Sequence, residues 1–166
     1  MPEQTIWRGN TSQWTNLGAY LLQLVFAAVI LVIFVFASRR GSPEVRNLGG
    51  FILLLLFLPA FFALARYLQT RNQQYELTSE RIKMSRGVFS KVIDTLELYR
   101  VKDLETHQPF LYRLVGIENV RLTTSDASSP FVTMEAVPGA MALGDKIRNQ
   151  VEIIRQQKGV REIDVE

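Results

Sequence analysis

Two long apolar runs open the chain, and behind them the pattern changes to alternation. Residues 17–36 carry no charge, and residues 48–68 carry none before Arg66. Each run is about 20 residues long, which as a helix crosses a hydrocarbon core of roughly 30 Å. The many β-branched residues of the first run do not argue against helix, because backbone polar groups in lipid must be satisfied within the segment. Gln23 is its one strongly polar side chain, placed either to hydrogen-bond a neighbouring helix or to stay hydrated near the surface. Residues 38–47 form a short connection with Gly41 and Pro43 as turn residues, so the two helices are expected to be antiparallel neighbours. Gly49-Gly50 permits close approach of the second helix to the first, and Pro59 predicts a kink or a local hydrogen-bond gap near its middle. A cleaved signal peptide fits poorly: no basic cluster precedes the first run, and the run exceeds the roughly 7–15 residues of a signal core.

From Gln73 the period becomes two. Tyr75 and Leu77 fall on one face and Glu76 and Thr78 on the other; a turn at Ser79-Glu80 follows, then Ile82 and Met84 inward with Arg81, Lys83 and Ser85 outward. This is the pattern of a β-hairpin with one buried face. Gly87 ends the strand. Residues 90–99 alternate again, with Leu96 and Leu98 on one side. Residues 100–108 make a weaker strand closed by Pro109, and residues 110–116 a compact apolar turn ended by Gly116. Residues 117–124 place Val120 and Leu122 together. Residues 125–130 read as a turn by composition, and residues 131–137 as a last strand with Val132, Met134 and Ala136 on one side. After Pro138-Gly139, Ala140, Leu143, Ile147, Val151 and Ile154 recur at spacings of three and four, the apolar stripe of an amphipathic helix that Gly159 stops. The sum is a membrane α-helical hairpin plus a small mostly-β domain, a barrel or bent sandwich plugged by a helix. The expected division is an interfacial segment at 1–16, two transmembrane helices within 17–71, a β domain at 72–158 with its helix at about 139–158, and a tail at 159–166.

Charge sharpens this picture when the chain is divided. Residues 1–71 hold six Arg against two Glu, a net of +4, while residues 72–166 hold thirteen basic and fourteen acidic residues, a net of −1. The basicity flanks the apolar runs, where anionic head groups sit. The nearly neutral domain speaks against nucleic acid as a partner. Trp7, Trp14, Arg66 and Tyr67 border the runs and suit membrane-interface anchors, although two tryptophans also serve as ordinary surface or core residues. Arg39, Arg40 and Arg46 lie in the connection, against Arg8, Arg71, Arg81, Lys83 and Arg86 on the side of the termini. That balance favours termini and domain on the cytoplasmic side.

Catalytic chemistry has little to stand on. The chain has no cysteine and one histidine, which removes thiolate and multi-imidazole metal sites. His107 shares a strand face with Glu105, with Asp103 the only other near ligand type, and reads as a solvated strand histidine. Ser125–Ser129 has no base in reach by sequence, and the glycines form no phosphate-binding spacing. No catalytic, metal or cofactor site is expected, and the protein is not expected to be an enzyme.

Several segments resemble the bacterial pleckstrin-homology (PH)-like membrane proteins. They are Ile6-Trp-Arg-Gly9, Tyr75-Glu-Leu-Thr-Ser-Glu-Arg-Ile82, Arg86-Gly-Val-Phe-Ser90, Leu96-Glu-Leu-Tyr-Arg-Val-Lys-Asp103, Gln108-Pro-Phe-Leu-Tyr-Arg-Leu-Val-Gly116 and Leu122-Thr-Thr-Ser-Asp126. The resemblance keeps the family's order over most of the chain. It implies a PH-like barrel of six to seven strands with a C-terminal amphipathic helix, at a bacterial inner membrane, and a binding role without an established activity. In lipid-binding PH domains basic residues near the first hairpin clamp phosphates, so Arg81, Lys83, Arg86 and Lys91 are the candidate lipid- or partner-binding residues. The bland reading of the same residues is a solvated strand face. Three functions are thus open. The first is a membrane-anchored adaptor that docks a protein partner or self-assembles. The second is a sensor of anionic lipid head groups. The third is a subunit of an oligomeric pore or transporter.

Overall fold

The alternation after Gln73 folds as antiparallel sheet because each strand has one apolar face to bury. In the computed structural model, which describes residues 3–40 and 49–159, the chain divides into two compact units. One comprises residues 16–68. The other joins residues 1–15 to residues 69–166. The connection with Gly41, Pro43 and Arg46, and the tail from Val160, lie outside the described residues.

The first unit is helical. Helix α1 spans Leu17–Arg40, four residues beyond the expected end of the first apolar run. The second run is two helices, α2 (Gly49–Leu54) and α3 (Phe57–Arg71), separated by a local gap in the hydrogen-bond ladder of the kind expected from Pro59. The break at Leu55-Leu56 lies one turn before Pro59, whose ring cannot coexist with a regular carbonyl at i−4 and whose nitrogen offers no donor. The turn tightens instead, with Leu55 N–H on Ile52 O at 3.1 Å and Leu58 N–H on Leu55 O at 3.1 Å. Of the glycine pair only Gly49 sits close to α1, where a Cβ would come within 3.1 Å of the Phe34 ring; Gly50 has open space.

Among the described residues the second unit holds seven strands in two antiparallel sheets. Strands β1 (Thr5–Asn10), β2 (Gln74–Thr78), β3 (Arg81–Arg86) and β4 (Val92–Glu97) pair in that order. Strands β5 (Val101–His107), β6 (Ile117–Thr124) and β7 (Phe131–Pro138) form the other sheet. Helix α4 (Phe110–Val115) links β5 to β6, and α5 (Ala140–Lys158) follows β7. Leu77, Ile82, Leu98, Leu122, Met134 and Ile147 are fully buried between the sheets and α5.

Strand β1 corrects the expected boundary at residue 72. The segment read as a separate interfacial stretch contributes an edge strand, with Arg8 opposite Glu76 and Asn10 opposite Gln74. The hairpin of apolar helices is therefore an insertion between two paired strands of one domain. Trp7 gives β1 its purchase: its indole packs on the core and lies across Gly9, where any side chain would collide with the ring. Beyond β1, Thr11 N–H bonds Gln73 O at 3.2 Å and Ser12 N–H bonds Ala136 O at 2.9 Å, so the strand's exit is tied to β2 and β7.

Two further local differences have physical causes. The expected strand through Tyr99 stops at Glu97, and a 3-10 turn over Leu98–Arg100 carries the chain from the first sheet to the second while keeping Leu98 buried. On β7, Ala136 has φ +47°, at an irregularity of the β6–β7 register. Asn119 Oδ1 accepts the Ala136 N–H at 2.8 Å in place of a ladder partner. The bulge turns both Ala136 and Val137 into the core, which strict alternation forbids.

Candidate functional site

The four basic residues nominated by the sequence separate into two groups. Arg81 and Lys83 point outward from β3, as their alternation with Ile82 and Met84 requires. Acids answer both: Glu3 lies 3.4 Å from Arg81 and 3.2 Å from Lys83, and Glu97 lies 3.9 Å from Arg81. Arg86, at the end of β3, pairs with Asp94 of β4 at 3.0 Å. Lys91 follows in the β3–β4 loop and forms no ion pair among the described residues. The structure thus does not converge these four side chains into one phosphate clamp. Such a clamp needs several unengaged donors aimed at one point.

A second locus was not singled out by sequence. It lies between β5, an edge strand of its sheet, and α5. An open cavity of about 670 Å³ there is lined by Thr106, His107, Arg113, Glu118, Asp145 and Arg148, among others. A smaller one of about 180 Å³ continues along the same strand and helix past Val101, Asp103, Val151 and Arg155, and both share Leu104 and Arg148. Together they make a groove. Gly144 brings α5 close to β5, where a Cβ would make ordinary van der Waals contact with Leu104 and Thr106 at 3.5 Å. Arg155 from α5 donates to Val101 O at 2.8 Å, so the helix satisfies part of the free edge.

Glu118 stands at the head of this groove. It is two residues before Val120 on β6, so the same alternation that buries Val120 and Leu122 turns it inward. It is 2% exposed, and its Oε1 has no hydrogen-bond partner among the described residues. Burial pushes its carboxyl above the usual carboxylate range. The native state therefore holds the Glu118 proton more tightly than the unfolded chain. That difference costs nothing below the unfolded value of about 4.3 and subtracts stability as pH rises from there through the native value. Glu118→Gln is expected to raise the melting temperature at about pH 7 and to leave it nearly unchanged at about pH 4, as thermal melts across that range would show.

Comparison with known proteins bears on this architecture directly. The profile of the bacterial PH domain family matches residues 15–151. The chain belongs to that family. The match takes in both apolar runs and strands β2 to β7, and leaves β1 outside it. No match is found among curated proteins. Among solved structures, the Vps36 N-terminal PH domain is 21% identical, over 54% of this chain and 68% of that one, with a TM-score of 0.39. Two antiparallel sheets of four and three strands with a C-terminal helix are the PH-like fold. PH domains are in general non-catalytic binding modules. Among the described residues no three His, Asp or Glu side chains gather as metal ligands, and His107 and Glu105 are both exposed on β5.

The residues expected at a membrane interface have diverse settings in this bacterial PH domain protein. Trp7 is half-buried in the domain, whereas Trp14 is exposed beside the start of α1. Arg66 and Tyr67 are exposed near the end of α3. The two apolar helical stretches, Gln13–Arg39 and Gly49–Arg71, are long and apolar enough to cross a membrane, and almost none of their residues is fully buried within the chain.

Proposed function

We propose that this bacterial PH domain protein is a membrane-held adaptor that docks an extended polypeptide along the groove between β5 and α5. The observation that carries this reading is the groove itself: an edge strand with a cavity beside it and an unsatisfied carboxylate at its head. An edge strand offers backbone donors and acceptors to an added strand, and flanking pockets choose the side chains that enter. The apolar helices supply the anchor. The residues of a soluble protein's core helix are mostly buried, and those of these helices are not. With the arginine balance read from the sequence, the domain lies on the cytoplasmic side of the inner membrane. Trp14, Arg66 and Tyr67 then serve as interface anchors, while Trp7 is committed largely to the core.

Sensing of anionic lipid by the basic hairpin has less support, because Arg81, Lys83 and Arg86 each face a carboxylate. A pore subunit has none beyond the two helices themselves. The test is photo-crosslinking in native membranes from Thr106 and Arg148, two exposed positions in the groove, with exposed Thr95 on β4 as control. Adducts to a polypeptide from the groove positions and not from Thr95 are expected. Differently tagged copies separate self-assembly from a distinct partner. Equal labelling from all three positions, or none, removes the proposal.

A further inference from the structure

The register of the first sheet sets one end of the domain apart. Asn10 pairs with Gln74, Gln74 with Ser85, and Ser85 with Ile93, so these four residues form a single row across β1, β2, β3 and β4. Beyond that row the chain leaves β1 for α1 and returns from α3 into β2. The β3–β4 loop, residues 87–91, projects past the same row. Strand spacing puts the loop's base within roughly 15 Å of the point where β1 ends. On either side no more than about 25 Å of fully extended chain separates the row from an apolar helix.

What this loop presents is apolar. Phe89 is fully exposed, and Val88, Val92 and Ile93 are exposed around it. The presentation is built into the backbone. Gly87 has φ +118°, and a side chain there would run into the Ser90 carbonyl oxygen, so the turn is too tight for any residue but glycine. An exposed aromatic tip on a tight turn is an unusual use of a large side chain in a small domain. Nearby charge adds little, because Asp94 answers Arg86 at 3.0 Å and leaves Lys91.

We propose that the β3–β4 loop is a membrane-contact element, with Phe89 inserted into the interface of the bilayer that holds the helical hairpin. This rests on the reading of that hairpin as a membrane anchor. The sheet would then meet the bilayer at three places: the exit of β1, the entry of β2 and the aromatic tip. Three contacts restrain tilt where two covalent connections along one edge would leave a hinge. Because the tip is apolar and the local charge nearly balanced, contact is expected with zwitterionic and anionic lipid alike. A head-group sensor behaves otherwise.

The chain's lack of cysteine makes the test clean. The full-length protein is placed in phosphatidylcholine vesicles, with and without phosphatidylglycerol, and a nitroxide is attached at one introduced cysteine. Ser90→Cys reports the loop, Glu80→Cys the opposite end of the same sheet, and Val29→Cys the middle of α1. The Ser90 label is expected to show oxygen accessibility, relative to a water-soluble nickel chelate, between the values at Val29 and Glu80 in both lipids. Adding Phe89→Asp should return it to the Glu80 value. A Ser90 label as water-exposed as the Glu80 label, with Val29 still lipid-facing, overturns this inference alone. A water-exposed Val29 overturns the anchor and the inference together.

Discussion

Residues 3–12 joined to residues 72–159 by a short glycine–serine linker are expected to fold in water without detergent, whereas residues 72–159 alone are not. The join is sterically cheap: Asn10 and Gln74 are direct antiparallel partners, so a hairpin-length connection replaces the whole helical insertion. Leaving β1 out strips Trp7 from the core and removes the Ser12 bond to Ala136. It also leaves β2 as an open edge. Losing a packed aromatic of this size costs about 3–5 kcal/mol, a large share of the roughly 5–15 kcal/mol that holds a small domain together. Circular dichroism and denaturant titration of the two chains read this directly. Equal stability of both would mean that β1 is an appendage.

The largest single-residue effect is expected at Tyr75. Its ring is buried on β2, and its hydroxyl accepts hydrogen bonds from Gln73 Nε2 at 2.7 Å and from the Glu135 N–H at 3.0 Å and is bonded to the Thr11 hydroxyl at 3.4 Å. One side chain thus joins the exit of β1, the start of β2 and the middle of β7. Tyr75→Ala removes both packing and bonds, and should destabilise the linked soluble domain by at least about 3–5 kcal/mol. Tyr75→Phe keeps the packing but strands the Glu135 N–H, at a cost of about 1–3 kcal/mol. The difference between the two denaturation midpoints separates the share of the hydroxyl from that of the ring. The same burial raises the phenol above its ordinary range, so it stays protonated and able to donate as well as accept.

What the sequence shows of this fold follows from how many side chains each element buries. Strands β2 and β6 and helix α5 bury residues at regular intervals, and their periods reveal them: Tyr75 and Leu77, Val120 and Leu122, then Leu143, Ile147 and Val151. Strand β1 is the opposite case. Trp7 is its only large side chain packed on the core, and its partner strand lies across the whole helical insertion, so no local alternation betrays it. The corner at Leu98 and the bulge at Ala136 escape for a related reason. Both bury residues out of phase, and an Asn119 side-chain bond decides the second. At the candidate site the period of β6 already turns Glu118 inward. The groove it heads depends on β5 and α5 meeting in space, and no spacing along the chain records that meeting. The basic residues of the first hairpin were legible as charges, but Glu3, which engages two of them, comes from the far side of the insertion.

One measurement goes straight to the claim that the apolar hairpin interrupts a single PH-like domain between β1 and β2. Cysteines are introduced pairwise into the otherwise cysteine-free full-length protein in its membrane, at Arg8 with Glu76 and, for comparison, at Arg8 with Lys83. Arg8 and Glu76 are direct partners, while Lys83 sits one strand further on, opposite Glu76. Direct antiparallel partners have Cα atoms about 4.5–5.5 Å apart, within the roughly 4.4–6.8 Å a disulfide spans; two strand spacings come to about 10 Å. Mild oxidation should crosslink Arg8→Cys to Glu76→Cys within one chain and leave the Lys83→Cys pair reduced. No crosslink in the first pair, or equal crosslinking in both, would contradict the strand and with it the insertion.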